Sequence, residues 1–225
     1  MDADYVIVGT GSAGAALANR LSADPSVQVG VLEAGARDKD KFVHIPAGFA
    51  QLMRGPLDWN YLTEPQQGLG GRRIYWPRGK MLGGSSSMNA MMWVRGFAAD
   101  YDEWGEHAGP EWNYARLEPY LQGIESGPLV ISHQRSPRAS TAAWLTAVQE
   151  CGHRVEEPNQ PEPQGFCETR VTQRRGARWS SADAYLKPIR KRRNLTVVTQ
   201  ATATRVVFAG DRAIGVEFDG KKGRA

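Results

Sequence analysis

Long apolar runs are missing from this chain. No stretch is apolar long enough to cross a bilayer. The apolar start, Tyr5-Val6-Ile7-Val8, follows Asp2 and Asp4 rather than a basic region and runs straight into a glycine turn. A secretory leader of the usual form is therefore not expected, and a cytoplasmic location is. Cysteine is scarce: Cys151 and Cys167 fit no metal or redox spacing and read as free thiols of a reducing compartment. Excess charge is small as well. A net charge of +4 supports solubility without arguing for nucleic acid. The one basic run, Arg190-Lys191-Arg192-Arg193, falls at an expected helix end, where it complements the dipole as a solvated face.

What is present suits a folded core. The chain has 225 residues, 41% of them hydrophobic, which is enough for one or two domains. Tyr5–Val8 is expected to be a buried strand. Ser12–Ala23 is expected to be a helix with Ala13, Ala16, Leu17 and Leu21 on one face and Ser12 as an early cap. Val27–Leu32 follows as a second strand. Strand, helix and strand at this spacing predict a parallel βαβ unit.

Gly9-Thr10-Gly11-Ser12-Ala13-Gly14 is a GxGxxG fingerprint at the turn between the first strand and the helix. Gly9 permits the turn, Gly11 admits a pyrophosphate to the backbone, and Gly14 lets the helix approach the sheet. Glu33 follows the second strand and is placed to accept ribose hydroxyls. Its charge repels a 2′-phosphate, which favours FAD or NAD over NADP. A second glycine loop, Gly79-Lys80-Met81-Leu82-Gly83-Gly84-Ser85-Ser86-Ser87-Met88-Asn89, precedes residues 88–94, which are expected to be helical. Near Ser85 this makes a second ligand-facing helix start.

Further helices are expected at Ala47–Met53, Asp100–His107, Tyr114–Ile124, Thr141–Cys151 and, interrupted by Pro188, Ser181–Arg192. Strands are expected at Phe166–Gln173, Leu195–Thr199, Thr204–Phe208 and Ala213–Phe218, with turns at Arg174-Arg175-Gly176 and Gly210-Asp211. Residues 154–165 read as an exposed connection. Lys221-Lys222-Gly223-Arg224 come where a further strand is expected, so the chain reads as truncated.

The second loop, with Trp93, Gly96 and Asp102 after it, resembles the first signature of the glucose–methanol–choline (GMC) oxidoreductases. Leu32-Glu33-Ala34-Gly35, Asp58-Trp59-Asn60-Tyr61, Trp76-Pro77-Arg78, Asp100-Tyr101-Asp102-Glu103-Trp104 and Arg178-Trp179-Ser180-Ser181-Ala182-Asp183-Ala184-Tyr185-Leu186 are similar to its choline-dehydrogenase-like branch. The resemblance covers nearly the whole chain. It implies an α/β fold with a Rossmann-type FAD-binding domain from residues 1–125 and 194–225. Residues 126–193 would form part of an α+β substrate or cap domain.

The resemblance also implies a chemistry: FAD-dependent oxidation of a small-molecule alcohol, choline-like or other, by hydride transfer to flavin N5. Gly9, Gly11, Ser12 and Gly14 would hold the pyrophosphate, and Glu33 the ribose. Arg78, Gly79, Gly84 and Ser85 would line the flavin side. Asn89 and the backbone of Ala90, Met91 and Met92 would lie against the isoalloxazine, and Ala203 would pair with adenine. Thr10, Ala34 and Trp59 complete the cofactor set. Met88 stands where some relatives carry a flavin-linked histidine, so FAD is expected to be non-covalent. The family's catalytic histidine pair would lie beyond residue 225. None of His44, His107, His133 or His153 matches it, so no catalytic residue is assigned within this chain. Trp59, Tyr61, Trp76 and Trp93 suit a substrate cavity or a core equally. Met81, Met88, Met91 and Met92 suit packing. An NAD-dependent dehydrogenase and a non-catalytic FAD-binding module remain the alternatives. The electron acceptor and the oligomeric state are left open.

Overall fold

In the computed structural model, which describes residues 2–220, β1 (Tyr5–Val8), α1 (Ser12–Leu21) and β2 (Val29–Glu33) form the expected βαβ unit. The two strands are parallel, with Ile7 opposite Val31. The Lys221–Arg224 reading lies outside the described residues. Contacts divide the chain into two units, Met1–Ala90 with Arg178–Ala225, and Met91–Ala177. The boundaries drawn at 125 and 193 follow sequence character instead.

In the first unit β2 lies between β1 and the parallel strand Leu195–Thr199 and is buried at every position. A strand flanked on both edges and covered on both faces needs a continuous apolar run, which Val29–Leu32 supplies. β1 is not the fully buried strand expected. It is the sheet's edge among the described residues, so Ile7 is buried while Tyr5 and Val8 are exposed.

The inner face of α1 also differs from expectation. Ala15 and Ala18 are fully buried, whereas Leu17 is half-exposed and Ala13 is exposed. The cause is close approach: a Cβ on Gly14 would stand 2.0 Å from the Gly9 carbonyl oxygen, so only small side chains fit beneath the helix. Gly11, not Ser12, occupies the cap position, and no side chain caps the helix amides.

After Leu195–Thr199 the chain folds into a hairpin, Ala201–Ala209 with Arg212–Gly220, turning at Gly210 (φ +60°). Its Ala201, Val216 and Phe218 pack on Leu32 of β2, with Val6, Val198 and Ala203 around them. Each large side chain buried there contributes about 1.5–3 kcal/mol. This packing carries Ala203 to the end of β2. A second cluster, Val43, Leu52, Met81 and Met88, accounts for two of the methionines as packing.

The expected helix over 88–94 is absent. Gly84–Ser87 forms a single 3₁₀ turn, closed by Met88 N–H donating to the Ser85 carbonyl at 3.1 Å. In the second unit Met91 takes a left-handed conformation (φ +63°), its carbonyl accepts from Thr172 N–H at 2.8 Å, and Met92–Trp93 pairs antiparallel with Arg170–Val171. Strand pairing with a segment about 80 positions away overrides a weak local helix preference. The rest of this unit carries helices Ala98–Ala108, Tyr114–Glu125 and Ala139–Glu150. The Glu125 carboxylate accepts from Arg95 Nε at 2.7 Å and Trp93 Nε1 at 2.8 Å. The Arg95 bond, more than the Trp93 bond, holds its pKa below the usual carboxylate range.

Three smaller expectations are corrected. Pro46–Leu52 is a 3₁₀ helix rather than an α-helix. Residues 181–192 give a π turn at Ala182–Leu186 and a 3₁₀ turn at Lys187–Ile189, because Pro188 supplies no N–H to continue a regular ladder. The stretch 166–173 keeps only Arg170–Val171 and the start of Gln173–Arg174 as strand.

Candidate functional site

A cavity of about 450 Å³ opens at the carboxyl ends of β1 and β2, where open α/β sheets place ligands. Gly9, with φ +92°, turns the chain out of β1 at its floor. The second glycine loop comes directly against the first. Gly83 N–H donates to the Thr10 carbonyl at 3.1 Å, and a Cβ on Gly84 would lie 2.8 Å from Gly11 Cα. The two motifs, some 70 residues apart in sequence, therefore form one continuous wall.

The opposite wall is a ribbon over residues 57–80, in which Tyr61–Leu62 pairs with Tyr75–Trp76. Asp58, buried at the base of the ribbon, holds it in shape. Its Oδ1 accepts from Arg78 N–H at 3.0 Å and Asn60 N–H at 3.1 Å. Its Oδ2 accepts from Arg54 N–H at 2.9 Å and from the Tyr75 hydroxyl. Burial pushes this carboxyl up, but the hydroxyl of Tyr75 and the amides of Arg54, Arg78 and Asn60 outweigh it and keep its pKa below the ordinary range. The ribbon presents Trp59 and Tyr61, stacked with centroids 5.6 Å apart, with Lys80 Nζ 4.4 Å above the Trp59 ring.

Of the residues expected at a site, Gly9, Gly11, Glu33, Ala34, Trp59, Arg78, Gly79, Gly84, Ser85 and Ala203 line this cavity. Thr10, Ser12, Gly14, Asn89 and Ala90 do not line it. Thr10 is fully buried behind the loop, donating to Glu33 Oε2 from N–H at 2.9 Å and from Oγ1 at 2.5 Å. Gly14 serves the helix–sheet approach, Ser12 is exposed at the first turn of α1, and Asn89 and Ala90 are exposed after the 3₁₀ turn. Met91 and Met92 belong to the second unit, where Met91 is buried and Met92 exposed.

Val8, Leu32, Ala201 and Thr202 also line the cavity and escaped the sequence reading, and so does Tyr61, which that reading left between a cavity and a core. The first two were legible, since each is the last apolar residue of a parallel strand and ligands sit at such ends. Ala201 and Thr202 arrive only through the hairpin's packing on Leu32.

The donor set fits an adenine dinucleotide such as FAD. Gly11 offers open space: a Cβ there would meet nothing within 4 Å. No side chain caps the first-turn amides of α1, which suits them to an anion such as phosphate. Val8, Leu32, Ala201 and Ala203 give the cavity an apolar surface of the kind a base needs, and Glu33 gives it a carboxylate of the kind a ribose needs. No histidine lines the cavity among the described residues. No helix among them is long and apolar enough to cross a membrane.

A sequence model of the GMC oxidoreductase family matches residues 3–225. An uncharacterised GMC-type oxidoreductase of Mycobacterium tuberculosis is 62% identical over 231 residues, covering 96% of this chain and 44% of that protein. An oxygen-dependent choline dehydrogenase of Brucella anthropi is 41% identical over 233 residues, covering 97% of this chain and 42% of its own length. Among solved structures, pyridoxine 4-oxidase from Mesorbium loti superposes with a TM-score of 0.91 at 35% identity, covering all (100%) of this chain and 47% of that one. The chain thus spans less than half the length of these relatives.

Proposed function

The chain belongs to the GMC oxidoreductase family, and from that premise we propose that it forms the dinucleotide seat and part of the flavin wall of an FAD-dependent enzyme oxidising the CH–OH group of a small-molecule alcohol. The observation that carries this reading is the contact between the two glycine loops. An NAD enzyme accounts for Gly9–Gly14 and Glu33 but gives Gly83–Ser85 no task, whereas a cofactor with a second, reactive half uses both. A flavin held there would supply the redox chemistry, acceptance of a hydride from the carbinol carbon.

The chain's own residues bind and orient. The amides of Gly11 and the first turn of α1 receive the pyrophosphate. Glu33 accepts from ribose and excludes a 2′-phosphate by charge repulsion. Ala201–Ala203 and Leu32 hold the adenine. Arg78, Gly79, Gly84 and Ser85 guide the cofactor toward Asn89 and Ala90. Met88 is buried in a methionine-containing core, which favours a non-covalent cofactor.

The test is reconstitution. The purified chain is titrated with FAD, followed by flavin fluorescence, then denatured and centrifuged. FAD is expected to bind and to appear free in the supernatant. Binding of NAD in preference to FAD would overturn the proposal, and flavin retained on the denatured chain would overturn its non-covalent part. Alcohol oxidation with a dye acceptor is expected to be absent for this chain alone.

A further inference from the structure

Arg178 is among the least exposed residues of the chain, at 2%. Its Nε donates to the Val43 carbonyl at 2.7 Å. Its Nη1 donates to the Ser86 carbonyl at 3.0 Å and to Asn89 Oδ1 at 2.8 Å, and its Nη2 to the Asn89 carbonyl at 2.7 Å. Every one of these acceptors is neutral. The buried carboxylate in the same segment, Asp183, is engaged by Lys187 Nζ at 2.6 Å and by Ser180. Burial pulls the guanidinium pKa down to about 10, partly opposed by Asp183, so the group is still charged at neutral pH.

A buried charge bound only by carbonyls is costly, and neutral side chains of similar volume fill such space at no loss to the fold. Three of the four bonds go to Ser86 and Asn89, in the turn that continues from the cavity-lining Ser85. The guanidinium thus fixes that turn and stands behind it as a fixed positive charge in a region of low dielectric, where charges act more strongly than in water. Hydride uptake adds negative charge to a flavin, and a preorganised positive group nearby favours the reduced form.

We propose that Arg178 is a positioning residue of the flavin end of the site, holding Ser86–Asn89 in place and raising the reduction potential of bound FAD through its charge. The inference rests on the FAD reading above. Its test compares Arg178→Gln and Arg178→Lys with wild type, each reconstituted with FAD, by midpoint potential, by FAD dissociation constant, and by hydrogen exchange of residues 86–89 without cofactor. The Gln variant is expected to lower the potential and weaken FAD binding at least tenfold. The Lys variant, keeping charge without the planar fork, is expected to loosen residues 86–89 while its potential stays near wild type. A wild-type potential in the Gln variant overturns the inference, whatever happens to its melting temperature. If the Gln variant does not fold, the Lys variant decides, and wild-type exchange at residues 86–89 overturns it. A wild-type chain that takes no FAD overturns the functional reading itself and this inference with it.

Discussion

Gly11 and Gly14 belong to the same fingerprint, yet alanine should affect them in opposite ways. At Gly14 the added methyl would sit 2.0 Å from the Gly9 carbonyl oxygen, so α1 must move off the sheet. Overpacking of this kind costs roughly 1–3 kcal/mol, and a backbone obstacle puts Gly14→Ala at the upper end. At about 2–4 °C per kcal/mol for a chain of this size, its melting temperature should fall by about 6–12 °C. At Gly11 the methyl meets nothing within 4 Å and φ is −65°. Alanine is a poorer cap than glycine by about 0.5–1 kcal/mol, and the gain from a stiffer unfolded chain is about 0.4–1 kcal/mol, so the two offset each other and Gly11→Ala should fold with nearly unchanged stability. Its defect should appear only with ligand, because the methyl takes the space into which a pyrophosphate approaches. FAD at 100 times its dissociation constant adds about 2.7 kcal/mol to wild type, an upward shift of about 5–10 °C. If the methyl weakens binding 100-fold, the same FAD adds about 0.4 kcal/mol and the shift shrinks to about 1 °C. Thermal melts with and without FAD test both claims. A Gly11→Ala chain that keeps the full FAD shift would refute the assignment of this glycine to the ligand, and a Gly14→Ala chain melting like wild type would refute the packing argument.

Glu33→Gln should lower stability by about 1–3 kcal/mol even without cofactor, because its amide group must face either Thr10 or Gly35 donors; denaturant midpoints without FAD check this, and an unchanged midpoint refutes it. Asp58 and Asp183 both have pKa values below the ordinary carboxylate range. The unfolded chain therefore binds more protons near pH 4, so the stability they contribute is present above about pH 4 and is lost as pH falls through the folded-state values. Acid titrations of stability should show this loss, and it should be smaller in Asp58→Asn. Arg175 and Gly176 both have positive φ (55° and 80°) in the two-residue turn between Gln173–Arg174 and Ala177–Arg178. An arginine is poorly suited to that mirror-image turn, so Arg175→Asn should raise stability by about 0.5–1 kcal/mol, read as a higher melting temperature.

Much of the cavity wall was legible because its signals are local. Gly9, Gly11 and Gly14 act within one turn, and Glu33 ends the strand that the turn faces. Periodicity served less well. The face Ala13, Ala16, Leu17 and Leu21 follows helical spacing, but the short distance between α1 and the sheet selects Ala15 and Ala18, and that distance is set by Gly14 rather than by hydrophobicity. The helix expected at 88–94 failed for a non-local reason: the Met91 carbonyl accepts from Thr172 N–H, and Met92 stands opposite Val171 in a strand pair. No window around residue 90 contains that partner. The place of Arg178 was not legible, since nothing in its sequence neighbours reveals a guanidinium folded back onto Val43, Ser86 and Asn89.

Glu33 shows why the site's residues do not divide into those for folding and those for ligand. An ionised carboxylate offers about four acceptor positions. Thr10 N–H and Oγ1 occupy Oε2, and Gly35 N–H at 2.9 Å occupies one position on Oε1. Capacity for about one ribose hydroxyl remains. The same three bonds tie the first glycine loop to the end of β2 before any cofactor arrives. The loop that must receive a pyrophosphate is thus already ordered, which removes part of the entropy cost of binding. On the proposed reading the same carboxylate would also discriminate against a 2′-phosphate. Its worth in cofactor choice and its worth in loop order come from one group, so a substitution there removes both, whereas Gly11 separates them.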